Sequence, residues 1–167
     1  SNLVMNNSIG IKKHKAHYYN PGPFVNDVFC NPCLEQNGSD YYLIAVKPDT
    51  FTDFYLIKLN QDLDTVWVKS FDSCDPGTCF DSPRSITKTD DGLAVLVFNA
   101  LVGSNTVWHF DFDGVPIWKK RYFNDFAIER TIVYYAPDKL IVGGSTRKVD
   151  EPDTDMHLLL LDAGNGD

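Results

Sequence analysis

The four cysteines fall in two close pairs, Cys30-Asn31-Pro32-Cys33 and Cys74-Asp75-Pro76-Gly77-Thr78-Cys79. Paired thiolates at such spacings suit three chemistries: knuckles converging on a tetrahedral zinc ion, a redox dithiol, or disulfide bridges. A thioredoxin-type redox pair needs a strand leading into a helix, and the residues around Cys30 and Cys33 supply no such pattern. Carboxylates gather at Asp150, Glu151, Asp153 and Asp155, where convergent oxygens could hold a calcium ion and a solvated loop is the plainer alternative. Asp111-Phe112-Asp113-Gly114 is too short of ligands for an EF-hand, and Tyr122 stands where that loop requires its closing Glu. His14 and His17, three apart on an extended segment, face opposite ways and make a poor metal pair.

No G-x-S-x-G, H-E-x-x-H, P-loop or G-x-G-x-x-G motif occurs, so catalysis finds no support in the sequence. Asn6-Asn7-Ser8 and Asn37-Gly38-Ser39 fit the glycan acceptor pattern, which matters only in a eukaryotic secretory host. Fifteen Lys+Arg against 23 Asp+Glu leave a net charge of −8, which argues against general binding to a phosphate backbone. The imbalance is uneven. Residues 1–23 carry Lys12, Lys13 and Lys15 without an acid, giving a basic arm or closing strand on an acidic body. The longest aliphatic or aromatic run, Leu93 to Phe98, is six residues, far below the roughly 18 that a spanning helix requires. No membrane span is expected, and no apolar leader stands at the N-terminus.

Any chemistry in this chain has to be positioned by a repeat. Phe54-Tyr55-Leu56-Ile57-Lys58-Leu59-Asn60 and Trp67 recur, 51 residues on, as Asn105-Thr106-Val107-Trp108-His109-Phe110-Asp111 and Trp118. At the same offset of 51, Ser39 to Ala45 aligns with Asp90 to Leu96. A third copy follows, Pro137 to Gly143 matching the Asp90 segment at an offset of 47 and Asp155 to Asp162 matching Ser104 to Asp111 at 51. Arg84-Ser85-Ile86 and Arg130-Thr131-Ile132 open the second and third copies.

Within the middle copy, Arg84 to Thr89, Leu93 to Phe98, Thr106 to Asp111 and Ile117 to Tyr122 read as strands. Asp90-Asp91-Gly92 and Asp111-Phe112-Asp113-Gly114 supply the turns between them. Nowhere does a 3.6-residue apolar pattern persist for the 10 or so residues of a helix. The expected fold class is all-β, an array of four-stranded antiparallel units of roughly 50 residues, the size of a propeller blade.

The phrases D-x-Y-L-I-K-L-N, a polar turn, Trp67, a Ser/Arg-Ser-Ile strand and the Asp90-Asp91-Gly92 turn resemble the β-propeller repeats of large bacterial secreted and cell-surface proteins. These are Kelch-like or PQQ-like relatives, often cargo of type IX secretion. The resemblance covers about residues 24–167, with units at about 24–71, 82–123 and an incomplete 128–167, some two and a half blades. The Trp-Asp dipeptide of WD repeats is absent in register, and the Kelch-type pair Gly143-Gly144 occurs once.

The resemblance implies an extracytoplasmic, non-catalytic module acting as a scaffold or as a protein- or glycan-binding surface. Its alternative is a piece of a propeller enzyme, glycoside-acting or quinone-dependent, with carboxylates drawn from several blades. Arg84 and Arg130, on innermost strands, become possible channel-lining residues; Trp67 and Trp118 become a repeated structural aromatic between sheets. A ring normally closes with about 4 to 8 blades, so a protein partner or the remainder of a longer chain is expected to cover the end sheets, most acutely at Leu158 to Leu161. Ile11 to Tyr19 is the candidate closing strand. An exported chain favours disulfides, and local bridges Cys30 with Cys33 and Cys74 with Cys79 are preferred over cross-loop pairing, zinc or free thiols. The turn between Cys74 and Cys79, rich in Asp, Pro and Gly, is able to bring the two Cβ atoms together. Alkylation without reductant, read by intact mass, is expected to leave Cys74 and Cys79 unlabelled; labelling of all four thiols refutes the bridge.

Overall fold

The computed structural model describes residues 33–46, 53–73, 80–99, 103–122, 127–135, 137–147 and 154–167. Among them there is no helix, and so none long and apolar enough to cross a membrane. Three antiparallel sheets follow one another along the chain. The first contains β1 (Leu34–Asn37), β2 (Asp40–Val46), β3 (Phe54–Leu59) and β4 (Thr65–Phe71). The second contains β5 (Asp81–Lys88), β6 (Gly92–Asn99), β7 (Ser104–Asp111) and β8 (Pro116–Tyr122). The third contains β9 (Ala127–Tyr135), β10 (Lys139–Arg147) and β11 (Thr154–Asp162), with β10 central. Each strand pairs with its sequence neighbour, as short turns and β-branched or aromatic runs dictate. Residues 1–32, with the basic arm, Ile11 to Tyr19, His14 and His17, lie outside the described residues.

The repeat of 51 is visible in the strand registers. Lys58 pairs with Trp67 and His109 with Trp118, and a bulge follows each at Lys58/Leu59 and His109/Phe110. The turn after each third strand is also repeated. Asn60 Oδ1 accepts from the backbone N–H groups of Asp62 and Asp64, Asp111 Oδ1 from those of Asp113 and Val115, and Asp162 Oδ1 from that of Gly164. This side-chain-to-backbone bonding is why Asn and Asp recur there. One alignment differs from expectation. Tyr42 faces Lys58 whereas Ala94 faces His109, so β2 maps onto β6 with an offset of 52 rather than 51, the connection from β2 to β3 being one residue longer than that from β6 to β7.

Because side chains alternate, each sheet has two faces, and consecutive sheets stack face to face. Tyr42, Ile44, Phe54 and Leu56 of the first sheet pack on Leu93, Val95, Val97, Trp108 and Phe110 of the second. On its other face the second sheet sets Ala94, Leu96 and Val107 against Ile132, Leu140, Val142 and Leu161 of the third. The second sheet is therefore buried on both sides, and β6 reads as a continuous apolar run for that reason.

A polar lock joins each pair of sheets, with a lysine at the repeated position in both and different aromatic donors beside it. Tyr42 Oη donates to the Phe112 carbonyl at 3.1 Å, and Lys69 Nζ to that of Asp113 at 2.7 Å, in the turn of the next sheet. One repeat on, Trp118 Nε1 donates to the Ala163 carbonyl at 2.8 Å and Tyr122 Oη to that of Gly166 at 2.6 Å, while Lys120 pairs with Asp167. Trp67 lies against Gly114 and Trp118 against Gly166, both glycines having positive φ. A Cβ on Gly114 would come within 2.6 Å of the Trp67 ring, whereas one on Gly103, also at positive φ, would meet nothing. Both Gly→Ala changes strain the backbone, and Gly114→Ala must displace the indole as well. Urea denaturation should show Gly103→Ala costing about 1 kcal/mol and Gly114→Ala costing more by another 1 to 2 kcal/mol or so.

Candidate functional site

Two arginines at repeat-equivalent positions form the most unusual arrangement of charge. In β5, Pro83 pairs with Val97 and Ser85 with Leu96, leaving Arg84 unpaired at a bulge. In β9, Glu129 pairs with Gly144 and Thr131 with Gly143, leaving Arg130 unpaired at a matching bulge. A bulge places one extra residue in a strand and re-aims its side chain, so the two neighbouring first strands carry the same device. Strands β5 and β9 are packed together. Arg84 is half-buried, its guanidinium carbon 5.2 Å from the centre of the Phe98 ring, and its Nε is buried without a hydrogen-bond partner. Burial first, and the charge of Arg130 second, lower its pKa. Arg130 is exposed. Among the described residues, no carboxylate forms an ion pair with either arginine.

A buried polar network anchors the start of β5. Asp81 accepts from the Ser73 backbone N–H at 2.7 Å and from Asn99 Nδ2 at 2.6 Å. Asn99 Oδ1 in turn accepts from Thr106 Oγ1 at 2.8 Å and Ser104 Oγ at 3.3 Å. Ser73 takes a bond from Trp108 Nε1 on its hydroxyl, 3.0 Å, and from Arg121 on its carbonyl, 2.9 Å. The network ties the chain that leaves β4 to all four strands of the second sheet. Desolvation pushes the Asp81 carboxyl up to about 6, against the two donors and Ser73 hydroxyl that favour its charged form.

A second cluster has the residue types of a hydrolase triad without its connectivity. His109 Nε2 lies 3.0 Å from Thr89 Oγ1 and 3.2 Å from Asp91 Oδ1, and Thr89 Oγ1 donates to Asp91 Oδ1 at 3.0 Å. With its proton committed to Asp91, the threonine hydroxyl accepts from the histidine instead of being activated by it. His109 is fully buried, and burial lowers its pKa while Asp91 opposes the shift. The cluster pins the β5–β6 turn to β7. Neither it nor the Asp81 network follows any sequence motif; the polar residues that compose them sit in or beside strands whose pattern is otherwise apolar.

Of the other sequence candidates, Trp67 and Trp118 stand at equivalent places between sheets, as described above. Cys33, the one described cysteine, is not a free thiol, while Cys30, Cys74 and Cys79 lie outside the described residues. Asp150, Glu151 and Asp153 also lie outside them, and Asp155 falls in β11 opposite Thr146. Among the described residues there is no group of three or more His, Cys, Asp or Glu side chains that could hold a metal ion. Neither a family model nor a curated protein matches the sequence.

The Asp81 carboxyl gives a signed prediction. Its folded pKa lies above the ordinary 3.8, so between about 6 and 3.8 the native state holds a proton that the unfolded chain has released. Through this residue, stability therefore rises as pH falls across that window, and the ionised form burdens the fold at neutral pH. Asp81→Asn removes the titration and sets an amide N–H against one of two donors. Urea midpoints should place the variant below wild type at pH 7, with the gap widening at pH 5.

Proposed function

We propose that the chain is a non-catalytic, extracytoplasmic repeat module of the β-propeller type, serving as a scaffold or as a protein- or glycan-binding surface. The observation that carries this reading is the bare outer face of the third sheet. Val133 and Tyr135 of β9, Ile141 of β10, and Met156, Leu158 and Leu160 of β11 share that face. In the repeat register, Leu158 and Leu160 stand where Val107 and His109 stand in the second sheet, and Ile141 where Ala94 stands. Those three residues of the second sheet are fully buried by the sheet stacked on them, whereas Leu158 and Leu160 are 60% and 61% exposed. A contiguous apolar face of this kind is what a docking surface looks like.

The occupant in this reading is another blade of the same repeat or a protein partner, as in any stack where each unit covers its neighbour. An oxidising compartment agrees with the two close cysteine pairs and with Cys33 not being a free thiol. Bridges Cys30–Cys33 and Cys74–Cys79 belong to this proposal.

Sedimentation velocity and hydrophobic-dye binding test the exposed face. The chain should self-associate or bind dye, and Leu158→Lys with Leu160→Lys should reduce both while leaving the β-type circular dichroism spectrum intact. A monodisperse wild-type monomer that binds no dye and unfolds cooperatively contradicts the reading.

A further inference from the structure

We infer that Arg84 and Arg130 form a binding site for a small oxyanion, a carboxylate or phosphate group held between the first strands of the second and third sheets. The argument starts from the two bulges. A strand residue that pairs normally has its side-chain direction fixed by the pleat, and an unpaired one does not. The second and third sheets both make their bulge at the same register position and both fill it with arginine. Ser85 and Thr131, the residues that follow, resume pairing with Leu96 and Gly143 at equivalent positions.

Arginines at equivalent bulges of two packed strands, of which Arg84 feels the charge of Arg130, oppose folding unless something offsets the repulsion. Elsewhere in the molecule that offset is visible: Lys58 pairs with Asp40 at 2.9 Å and Lys139 with Asp162 at 3.0 Å. Arg84 and Arg130 have no such partner among the described residues, and the Arg84 Nε is buried with its proton unmatched. The Phe98 ring lies beneath the Arg84 guanidinium carbon at 5.2 Å, a cation–π contact that limits its freedom before any ligand arrives. A planar fork, already oriented and partly desolvated, presents the geometry that recognises carboxylate and phosphate oxygens in a bidentate way. The acidic net charge of the chain disfavours a long polyanion, so a ligand bearing one or two anionic groups fits better. The inference stands apart from the proposed function, since it needs only the second and third sheets.

Isothermal titration calorimetry with inorganic phosphate and with malonate, at constant ionic strength set by chloride, tests the site. Saturable binding of either anion is expected; phosphate alone identifies a phosphate site, malonate alone a carboxylate site, and both a general oxyanion site. Arg84→Gln and Arg130→Gln should each weaken binding about tenfold or more, and Arg84→Lys should weaken it less. Lys88→Gln, an exposed lysine on the same strand, should leave it unchanged. Because Arg130 is exposed, Arg130→Gln keeps the test decisive even if Arg84→Gln disturbs the fold, which the urea midpoint reports. Binding of neither anion, equal loss in Lys88→Gln, or no loss in Arg130→Gln overturns the site.

Discussion

The structure depends on one requirement: a sheet with two apolar faces has to be covered on both. A lone four-stranded antiparallel meander can hide one face at most, and among the described residues no helix covers the other. Stacking solves the problem for the first two sheets by giving the forward face of each to the next sheet. The apolar contact alone would let two flat layers slide. What fixes their relative position is the polar lock, in which an indole, a tyrosine hydroxyl and a lysine reach into the turn of the following sheet. The turn in turn keeps its shape through the Asn or Asp side chain at its first position and a residue at positive φ, Leu63, Gly114 or Gly166.

This arrangement explains which parts of the fold were legible in the sequence. Strand positions followed from apolar runs punctuated by Asp-Asp-Gly and Asp-Phe-Asp-Gly, and the repeat marked Trp67 and Trp118 as equivalent before any coordinates. The register of β2 against β6 was misjudged by one residue, because Tyr41 and Tyr42 are adjacent and either satisfies an alignment scored on residue type. Only the pairing of Tyr42 with Lys58 decides between them. Likewise the first strand of the second sheet starts at Asp81 rather than Arg84: a strand that contains Pro83 and a bulge has no regular alternation to read.

The candidate site was half visible. Sequence phrases aligned Arg84 with Arg130, yet nothing in composition or spacing announces a bulge, which is a property of the partner strand as much as of its own. The Asp81 network was hidden for a similar reason. Ser73, Asp81, Asn99, Thr106 and Trp108 of that network come from four separate stretches of the chain, and each taken singly looks like an ordinary strand or turn residue. Buried polar groups of this kind are found by asking where every donor and acceptor goes, a question that needs coordinates.

Neighbour-to-neighbour strand pairing carries a kinetic consequence. Among the described residues, every hydrogen-bonded ladder joins strands that are adjacent in sequence, so the loops that must close before a sheet forms are short. Among all-β chains, those dominated by distant pairings fold slowly; a succession of meanders avoids most of that entropic barrier and resembles a line of coupled units. The middle unit, sandwiched between two others, gains from both couplings, so ordered structure has reason to nucleate at β6 and β7 and spread outward in both directions.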